Sequence, residues 1–306
     1  MTSTFDTTAL RDERCPVLLI AGATAVGKSA FALECAAQQP SVIINADSMQ
    51  VYDALPILTA QPAGLDRQAC PHKLYGVFDP SDLCSAARWA ECALAEIKAA
   101  WSAEQLPIVV GGTGLYLRTL VDGISPIPDI DPQIRRQVRT LAEARGVGAV
   151  HEAVLVEDPE LAARLNTSDA QRLCRALEVA LSTGTPLSDW QRVPRVGGLE
   201  AIPDITLTCL VLEMDRPTLY ARCNKRLELM IEMGALSELE QLLARELSGD
   251  LPIMRAVGVP PLIDYLIGRC SKGEALARAQ QDTRRFAKRQ LTWNRNQFGK
   301  WTSVFV

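Results

Sequence analysis

The chain has 306 residues, 48% of them hydrophobic and 5% aromatic, with a net charge of −4 and nine cysteines. That length suits one large domain or a core with an inserted module, and its core must be mostly aliphatic. The acidic balance excludes a protein that coats nucleic acid indiscriminately, no apolar run reaches the length of a membrane span, and the scattered cysteines lack the paired spacing of a zinc site. The first residues carry neither a basic nor an apolar stretch of the export type, so reduced thiols in a cytoplasmic protein are expected.

In chain order, Val17-Leu18-Leu19-Ile20-Ala21 reads as a buried parallel strand and Ser29 to Glu34 as a helix. Between them lies Gly22-Ala23-Thr24-Ala25-Val26-Gly27-Lys28-Ser29, a G-x4-G-K-S phosphate loop in the strand–loop–helix context the motif requires. Its backbone N–H groups and helix N-terminus make an anion site, Lys28 reaches the phosphates, and Ser29 offers a hydroxyl to Mg²⁺. Ser41 to Asn45 is a second strand, residues 54–82 are loops and turns marked by prolines, and a helix is predicted from about Ser85 to Ala103. Pro107 to Val110 is a third strand, followed by Gly111-Gly112-Thr113-Gly114 and a helix over Leu115–Leu120. From Asp131 to about Ser182 only helices are predicted: Pro132–Arg145, Val147–Leu155, Pro159–Leu165 and Ala170–Ser182. Residues 184–203 read as irregular, Ile205 to Glu213 as a returning strand, and Asp215 as the cap of a helix ending near Gly234, with two or three helices beyond.

The fold class is therefore α/β, a P-loop-type parallel sheet flanked by helices with an all-helical insertion. Residues 1–123 and 200–306 are assigned to the core and 124–199 to the insertion. Ligands in such sheets gather at the carboxyl ends of the strands, which here carry the phosphate loop, Asp47-Ser48 and Gly112-Thr113.

Taken singly, these residues leave alternatives. Asp47 is a Mg²⁺ ligand, a general base or a helix cap; Thr113 is a cap or a donor to a substrate oxygen. Arg222 and Arg226, one helical turn apart, clamp an anion or belong to solvated surface. The same choice holds for Arg135, Arg136 and Arg139, and for the basic stretch from Arg278 to Arg295. His72 in its loop reads as structural.

The motifs taken in order resemble those of the tRNA dimethylallyltransferases, the tRNA isopentenyltransferase family of bacterial type. The matching segments begin with the phosphate loop, Asn45 to Tyr52, Thr59-Ala60-Gln61-Pro62 and Pro71 to Gly76. They continue with Val109 to Tyr116, Gln171 to Glu178 and Ala287 to Trp293, so that the resemblance spans almost the whole chain. It implies transfer of a dimethylallyl group from dimethylallyl diphosphate to N6 of the adenosine beside the anticodon, with Mg²⁺ as cofactor. The partner would be the tRNA anticodon stem-loop, bound by a monomer without membrane attachment. By that resemblance Gly22 to Ser29 hold the diphosphate, Asp47 accepts the amine proton, Thr113 lies near the reaction centre, and Arg222, or Arg226 near it, helps bind the diphosphate. Contacts with tRNA are implied for Asp47, Ser48, Met49, Gln50, Thr113, Arg135, Gln171, Arg172, Leu173, Cys174 and Arg175. They are also implied for the segment from Arg255 through Gly258 to Pro260 and for Lys288, Arg289, Gln290, Thr292, Trp293 and Arg295.

Two departures stand out. Gln61 replaces a lysine of the usual Gly-Thr-Ala-Lys-Pro stretch, and Val259-Pro260 replace an aromatic residue and a cation. A small-molecule or nucleotide kinase would use the same loop with ATP as donor, and a non-catalytic RNA-binding protein could keep the scaffold. Intact Lys28, Ser29, Asp47 and Thr113 weigh against the latter.

Overall fold

The structure, a computed structural model, describes residues 5–306. Its elements in chain order are β1 (Pro16–Gly22), α1 (Lys28–Ala36), β2 (Ser41–Asn45), α2 (Gly64–Ala69), β3 (His72–Lys73), α3 (Ala86–Ser102), β4 (Leu106–Gly111) and α4 (Gly114–Asp122). There follow α5 (Pro132–Glu157), α6 (Pro159–Arg164), α7 (Ala170–Thr183) and α8 (Leu187–Trp190), then β5 (Thr206–Glu213), α9 (Arg216–Glu232), α10 (Ala235–Leu243), α11 (Val259–Leu266), α12 (Lys272–Gln297) and β6 (Thr302–Phe305). One compact unit comprises the chain up to Val121 together with Ile202–Val306; Asp122–Ala201 form a second.

The first unit is built on one sheet of strand order β3-β2-β4-β1-β5-β6, with every pair parallel. Parallel pairing needs helical crossovers, so central strands are covered on both faces and read as unbroken apolar runs. Val17 to Ile20 of β1 and Ile108 and Val109 of β4 are accordingly fully buried. Leu18, Ile20, Ile43, Ile108 and Leu210 share a core cluster with Phe31, Ala32 and Cys35 of α1 and Leu219 and Cys223 of α9. The alternate residues point to the opposite face, where α3 packs on β2 and β4. Trp89 of α3 is fully buried, stacks on Tyr116 of α4 at 4.5 Å, and donates its indole N–H to Asn45 O at 2.8 Å. That bond spares a large apolar side chain the cost of an unpaired polar atom.

At their carboxyl ends β2 and β4 run almost into contact. Ala46 N donates to Val110 O at 2.8 Å, and Thr113 N donates back to Ala46 O at 3.2 Å. A Cβ on Gly111 would lie 2.1 Å from Ala46 O, so glycine is required by the approach of the neighbouring backbone.

The second unit is all helical. Val138, Val150 and Val154 of α5 pack with Leu161 and Ala162 of α6 and with Leu173, Ala176 and Leu177 of α7. Gly146, at φ 78°, breaks α5 between the two helices expected from the sequence. Buried Asp158 caps α6 by accepting from Leu161 N and reaches α8 by accepting from Ser188 N at 2.9 Å.

Three expectations need correction. The stretch 54–82 contains α2 and β3, and β3 is a two-residue strand paired through Ile43–His72 and Ile44–Lys73, too short to leave an alternating pattern. The stretch 184–203 contains the single turn α8 and a 3-10 turn at Leu199–Ala201. The C-terminus adds β6 after three helices, a four-residue edge strand recruited by β5. Among the described residues no helix is long and apolar enough to cross a membrane.

Gly111→Ala is expected to destabilise the fold by about 3 kcal/mol, because backbone must shift to admit the methyl group. Chemical denaturation with an unchanged midpoint would contradict the close approach of β2 and β4.

Candidate active site

The phosphate loop turns from β1 into α1 with Gly27 at φ 111° and Ala25 at φ 65°. A left-handed alanine costs about 1 kcal/mol, and such strain persists only where the surroundings impose it. Here they do. Thr24 N donates to Gln290 Oε1 at 2.8 Å, Arg226 Nη2 donates to Thr24 Oγ1, and Arg222 Nη1 reaches Val26 O at 3.4 Å. Lys28 Nζ donates to Ala23 O at 2.8 Å, back into its own loop. Burial pushes the Lys28 ammonium down to about 8, Asp47 acts against that shift, and Arg226 adds to it. Burial likewise lowers the pKa of the Arg226 guanidinium.

The loop opens on a cavity of about 410 Å³ whose lining includes Lys28, Ser29, Asp47, Tyr75, Arg222 and Arg226. A second cavity of about 340 Å³, lined among others by Met49, Leu58, Met230, Phe286, Arg255 and Arg289, shares Thr24, Asp47, Thr59 and Arg226 with the first. The first gathers Lys28, Arg222, Lys225 and Arg226 beside the phosphate loop; the second sets Met49, Leu58, Leu227, Met230 and Phe286 beside Arg226, Arg255 and Arg289. Asp47 borders both.

Asp47 is held through its backbone. Buried Asn45 accepts from Asp47 N at 2.8 Å through Oδ1, and its Nδ2 donates to the carbonyls of Asp47 and Leu74. Asp47 Oδ1 accepts from Met49 N at 2.9 Å. Ser48 N donates to Thr113 Oγ1 at 2.9 Å, and that hydroxyl donates to Ser48 Oγ at 3.2 Å. Thr113 also starts α4 with its backbone, its carbonyl accepting from Tyr116 N and Leu117 N. Its hydroxyl is thus a latch between the β2 and β4 loops, a role the sequence did not separate from capping or substrate contact.

Gln290 of α12 joins the same assembly. Its Nε2 donates to Gly112 O at 2.8 Å while its Oε1 holds Thr24 N, so one buried amide braces the phosphate loop against the Thr113 loop. The Trp293 indole packs on Gly114, where a Cβ would lie 2.0 Å from Nε1.

These contacts sort the residues expected to meet RNA. Lys288, Arg289, Thr292 and Arg295 are exposed on α12, whereas the Gln290 side chain spends both polar ends internally. Arg255 is exposed and paired with Asp250; Gly258 is buried at the start of α11. In the helical unit Arg135, Gln171 and Arg172 are exposed, Cys174 and Arg175 are half-buried, and Leu173 is fully buried in the unit's own core. Leu173 is therefore a packing residue by position. Met49 and Gln50 line the second and first cavity respectively. At the two departures, Gln61 donates to Tyr52 O at 2.8 Å and lines neither cavity, while Val259 is buried and Pro260 sits in the first turn of α11.

Sequence reasoning missed Asn45, Tyr75 and Gln290 as parts of the scaffold. Asn45 had a signal, an amide at the end of a buried strand one residue before the turn into Asp47. Tyr75 lay in the matching segment Pro71 to Gly76, but its place at the cleft depends on the pairing of β3 with β2.

A sequence model of the IPP transferase family matches residues 50–297. The chain is 48% identical over 282 residues to the tRNA dimethylallyltransferase of Paramagnetospirillum magneticum, covering 92% of this chain and 88% of that protein. It is 50% identical over 280 residues to that of Sphingopyxis alaskensis, covering 91% and 89%. Among solved structures it is similar to the full-length tRNA isopentenylpyrophosphate transferase of Bacillus halodurans, with a TM-score of 0.68, 31% identity and coverage of 95% of this chain and 90% of that one. It is also similar to a eukaryotic dimethylallyltransferase acting on tRNA, with a TM-score of 0.78, 25% identity and coverage of 95% and 73%. The phosphate-loop sheet, the cleft at its strand ends and these matches make the chain a member of the IPP transferase family.

Proposed function

We propose that this chain transfers the dimethylallyl group of dimethylallyl diphosphate to N6 of the adenosine on the 3′ side of the anticodon in tRNA, releasing diphosphate. One observation carries it: Asp47 lines both the cationic cavity at the phosphate loop and the adjoining one walled by Met49, Leu58, Met230 and Phe286. Its relatives are named for tRNA and for a dimethylallyl or isopentenyl group; the adenosine is what the resemblance of its motifs implies. The acting form is a monomer, and tRNA as acceptor suits the cytoplasm.

The donor's diphosphate lies in the first cavity, against the loop residues Ala25 and Gly27 to Ser29, with Arg222 and Arg226 beside them. As the C–O bond breaks, negative charge grows on the departing oxygen, and these fixed cations and dipoles stabilise it more than they stabilise the bound donor. The Ser29 hydroxyl is a hard oxygen donor lining the same cavity, which is the ligand chemistry Mg²⁺ prefers. Among the described residues no cluster of three or more His, Cys, Asp or Glu could hold a metal. An ion there would take its remaining ligands from the diphosphate and water. When bound, Mg²⁺ supplies charge neutralisation to the leaving group.

The acceptor adenine must leave its stack to reach the cleft. It enters the second cavity, where Phe286 offers a stacking face, and presents N6 to Asp47. With Oδ1 held by Met49 N, Asp47 Oδ2 takes the amine proton as the N–C bond forms. Thr113 keeps Ser48 and the adjoining Asp47 turn in place through its latch. Lys288, Arg289 and Arg295 meet the tRNA backbone on α12, and Arg135, Gln171, Arg172 and Arg175 do so on the helical unit; phosphate contacts of this kind position the RNA. Local cations thereby serve a chain of net charge −4.

Mass analysis of tRNA nucleosides after incubation with dimethylallyl diphosphate and Mg²⁺ will show one prenylated adenosine. Asp47→Ala will lower turnover by roughly two to four orders of magnitude with tRNA affinity unchanged. An unmodified wild-type product sinks the reaction, and near-normal turnover in the variant sinks the proton acceptor.

Lys28 gives a pH signature. Its ammonium titrates at about 8 in the free protein, and an adjacent diphosphate favours the charged form, raising that value. Binding of dimethylallyl diphosphate will therefore take up a proton, with uptake rising toward one per site between about pH 8 and 9. Lys28→Arg, charged throughout, will take up none. Calorimetry in buffers of different ionisation heat measures this, and buffer-independent heats for the wild type would contradict it.

A further inference from the structure

Resting on the transfer reaction above, we propose that Glu238 is a positioning residue that fixes the loop Leu55–Ala60 as the wall shared by donor and acceptor cavities. Glu238 lines neither cavity. It stands in the first turn of α10, and its carboxylate accepts from two successive loop amides, Ile57 N at 2.7 Å and Leu58 N at 3.1 Å. The loop it grips is strained at both ends, with Leu55 at φ 55° and Ala60 at φ 58°. Neither residue is a glycine, so neither conformation is free of cost.

The shape is therefore imposed, and the contacts that impose it can be named. Gln50 Nε2 donates to Thr59 O at 2.8 Å and Ala60 O at 2.9 Å, and Thr59 Oγ1 donates to Leu55 O at 2.8 Å. Those bonds tie the loop to itself and to the Asp47 segment. Glu238 is the tie from outside, and it takes the two N–H groups at the loop's apex. The cavity lining shows why this matters. Thr59 and Ala60 face the phosphate-loop cavity, and Leu58 and Thr59 face the second one. Released, the strained loop relaxes, and the boundary between departing diphosphate and arriving amine moves with it. Displacements of about 1 Å in such boundaries cost up to a hundredfold in rate. Burial pushes the Glu238 carboxyl up in pKa while the two amides pull it down, so the carboxylate is held at some desolvation cost.

The chemistry of two donors facing one acid predicts an unusual order of substitutions. Glu238→Gln keeps the shape but turns an NH₂ donor toward an amide donor; Glu238→Asp keeps two acceptor oxygens on a shorter arm. The test uses the full chain, with steady-state kinetics against dimethylallyl diphosphate and tRNA, calorimetric binding of inorganic diphosphate, and thermal melting. Glu238→Ala and Glu238→Gln are expected to raise donor KM and weaken inorganic diphosphate about tenfold and to lower kcat, with tRNA affinity unchanged and melting still cooperative; Glu238→Asp recovers part of the loss. Should Glu238→Ala not fold, the isosteric Glu238→Gln carries the test. Wild-type donor KM and diphosphate affinity in the Gln and Ala variants overturn the proposal, as does a fall in active fraction alone or a Gln variant that outperforms Asp. If the wild type transfers no prenyl group but diphosphate affinity still falls in the variants, the reaction assignment fails and the role of Glu238 stands.

Discussion

The site depends on how closely the ends of β2 and β4 approach. With no Cβ at Gly111, Ala46 lies against it, and the two strands exchange hydrogen bonds beyond their ladder. From that contact the Asp47 turn and the Thr113 loop emerge side by side, so a single hydroxyl can join them. The phosphate loop on adjacent β1 is tied to the same group by the amide of Gln290. Three loops from three strands thus behave as one rigid edge, which is what lets a carboxylate, a set of amides and a lysine keep fixed positions without substrate. Preorganisation of this kind means that little reorganisation remains to be done when the reaction begins.

The electrostatics follow from where the cations are. Lys28, Arg222, Lys225 and Arg226 converge on one cavity through two elements, the start of α1 and one face of α9. Burial strengthens the action of Lys28 and Arg226 on an anion while making them costly when the site is empty, whereas Arg222 and Lys225 are exposed at its rim. The Lys28 ammonium bends back onto the Ala23 carbonyl, and Arg226 rests on the Thr24 hydroxyl. Under the proposed reaction a loop of kinase type serves a neighbouring chamber, and the phosphate it holds would be the group that leaves.

Much of this was legible in the sequence. The apolar runs of β1, β2 and β4 were legible because strands buried on both faces leave a local signature, and the alternating, apolar run of β5 was legible although its first half is only partly buried. Asp215 was readable as a cap, and its side chain accepts from Thr218 N; Ser85 and Asp131 cap their helices in the same way, accepting from Arg88 N and Gln133 N. What stayed hidden is set by distant pairing. The two residues of β3 are a strand only because β2 lies beside them, and β6 is one only because β5 does. The site divides in the same way. Lys28, Ser29 and Asp47 stood out because they lie in contiguous motifs, and all three line one cavity. Glu238 meets Ile57 across more than 180 residues, and the inward turn of Gln290 depends on which face of α12 packs. Leu173 sat in a segment expected to touch RNA, but the periodicity of α7 placed it in the helical core.

The central claim is that the diphosphate bound by the glycine loop departs intact and no phosphoryl group is transferred. Phosphorus NMR of the full-length protein incubated with dimethylallyl diphosphate, Mg²⁺ and an anticodon stem-loop tests it directly. One inorganic diphosphate should be released for each adenosine prenylated, with the RNA gaining no phosphorus. Orthophosphate as the product, or a phosphorylated acceptor formed from ATP in the same cleft, would contradict it.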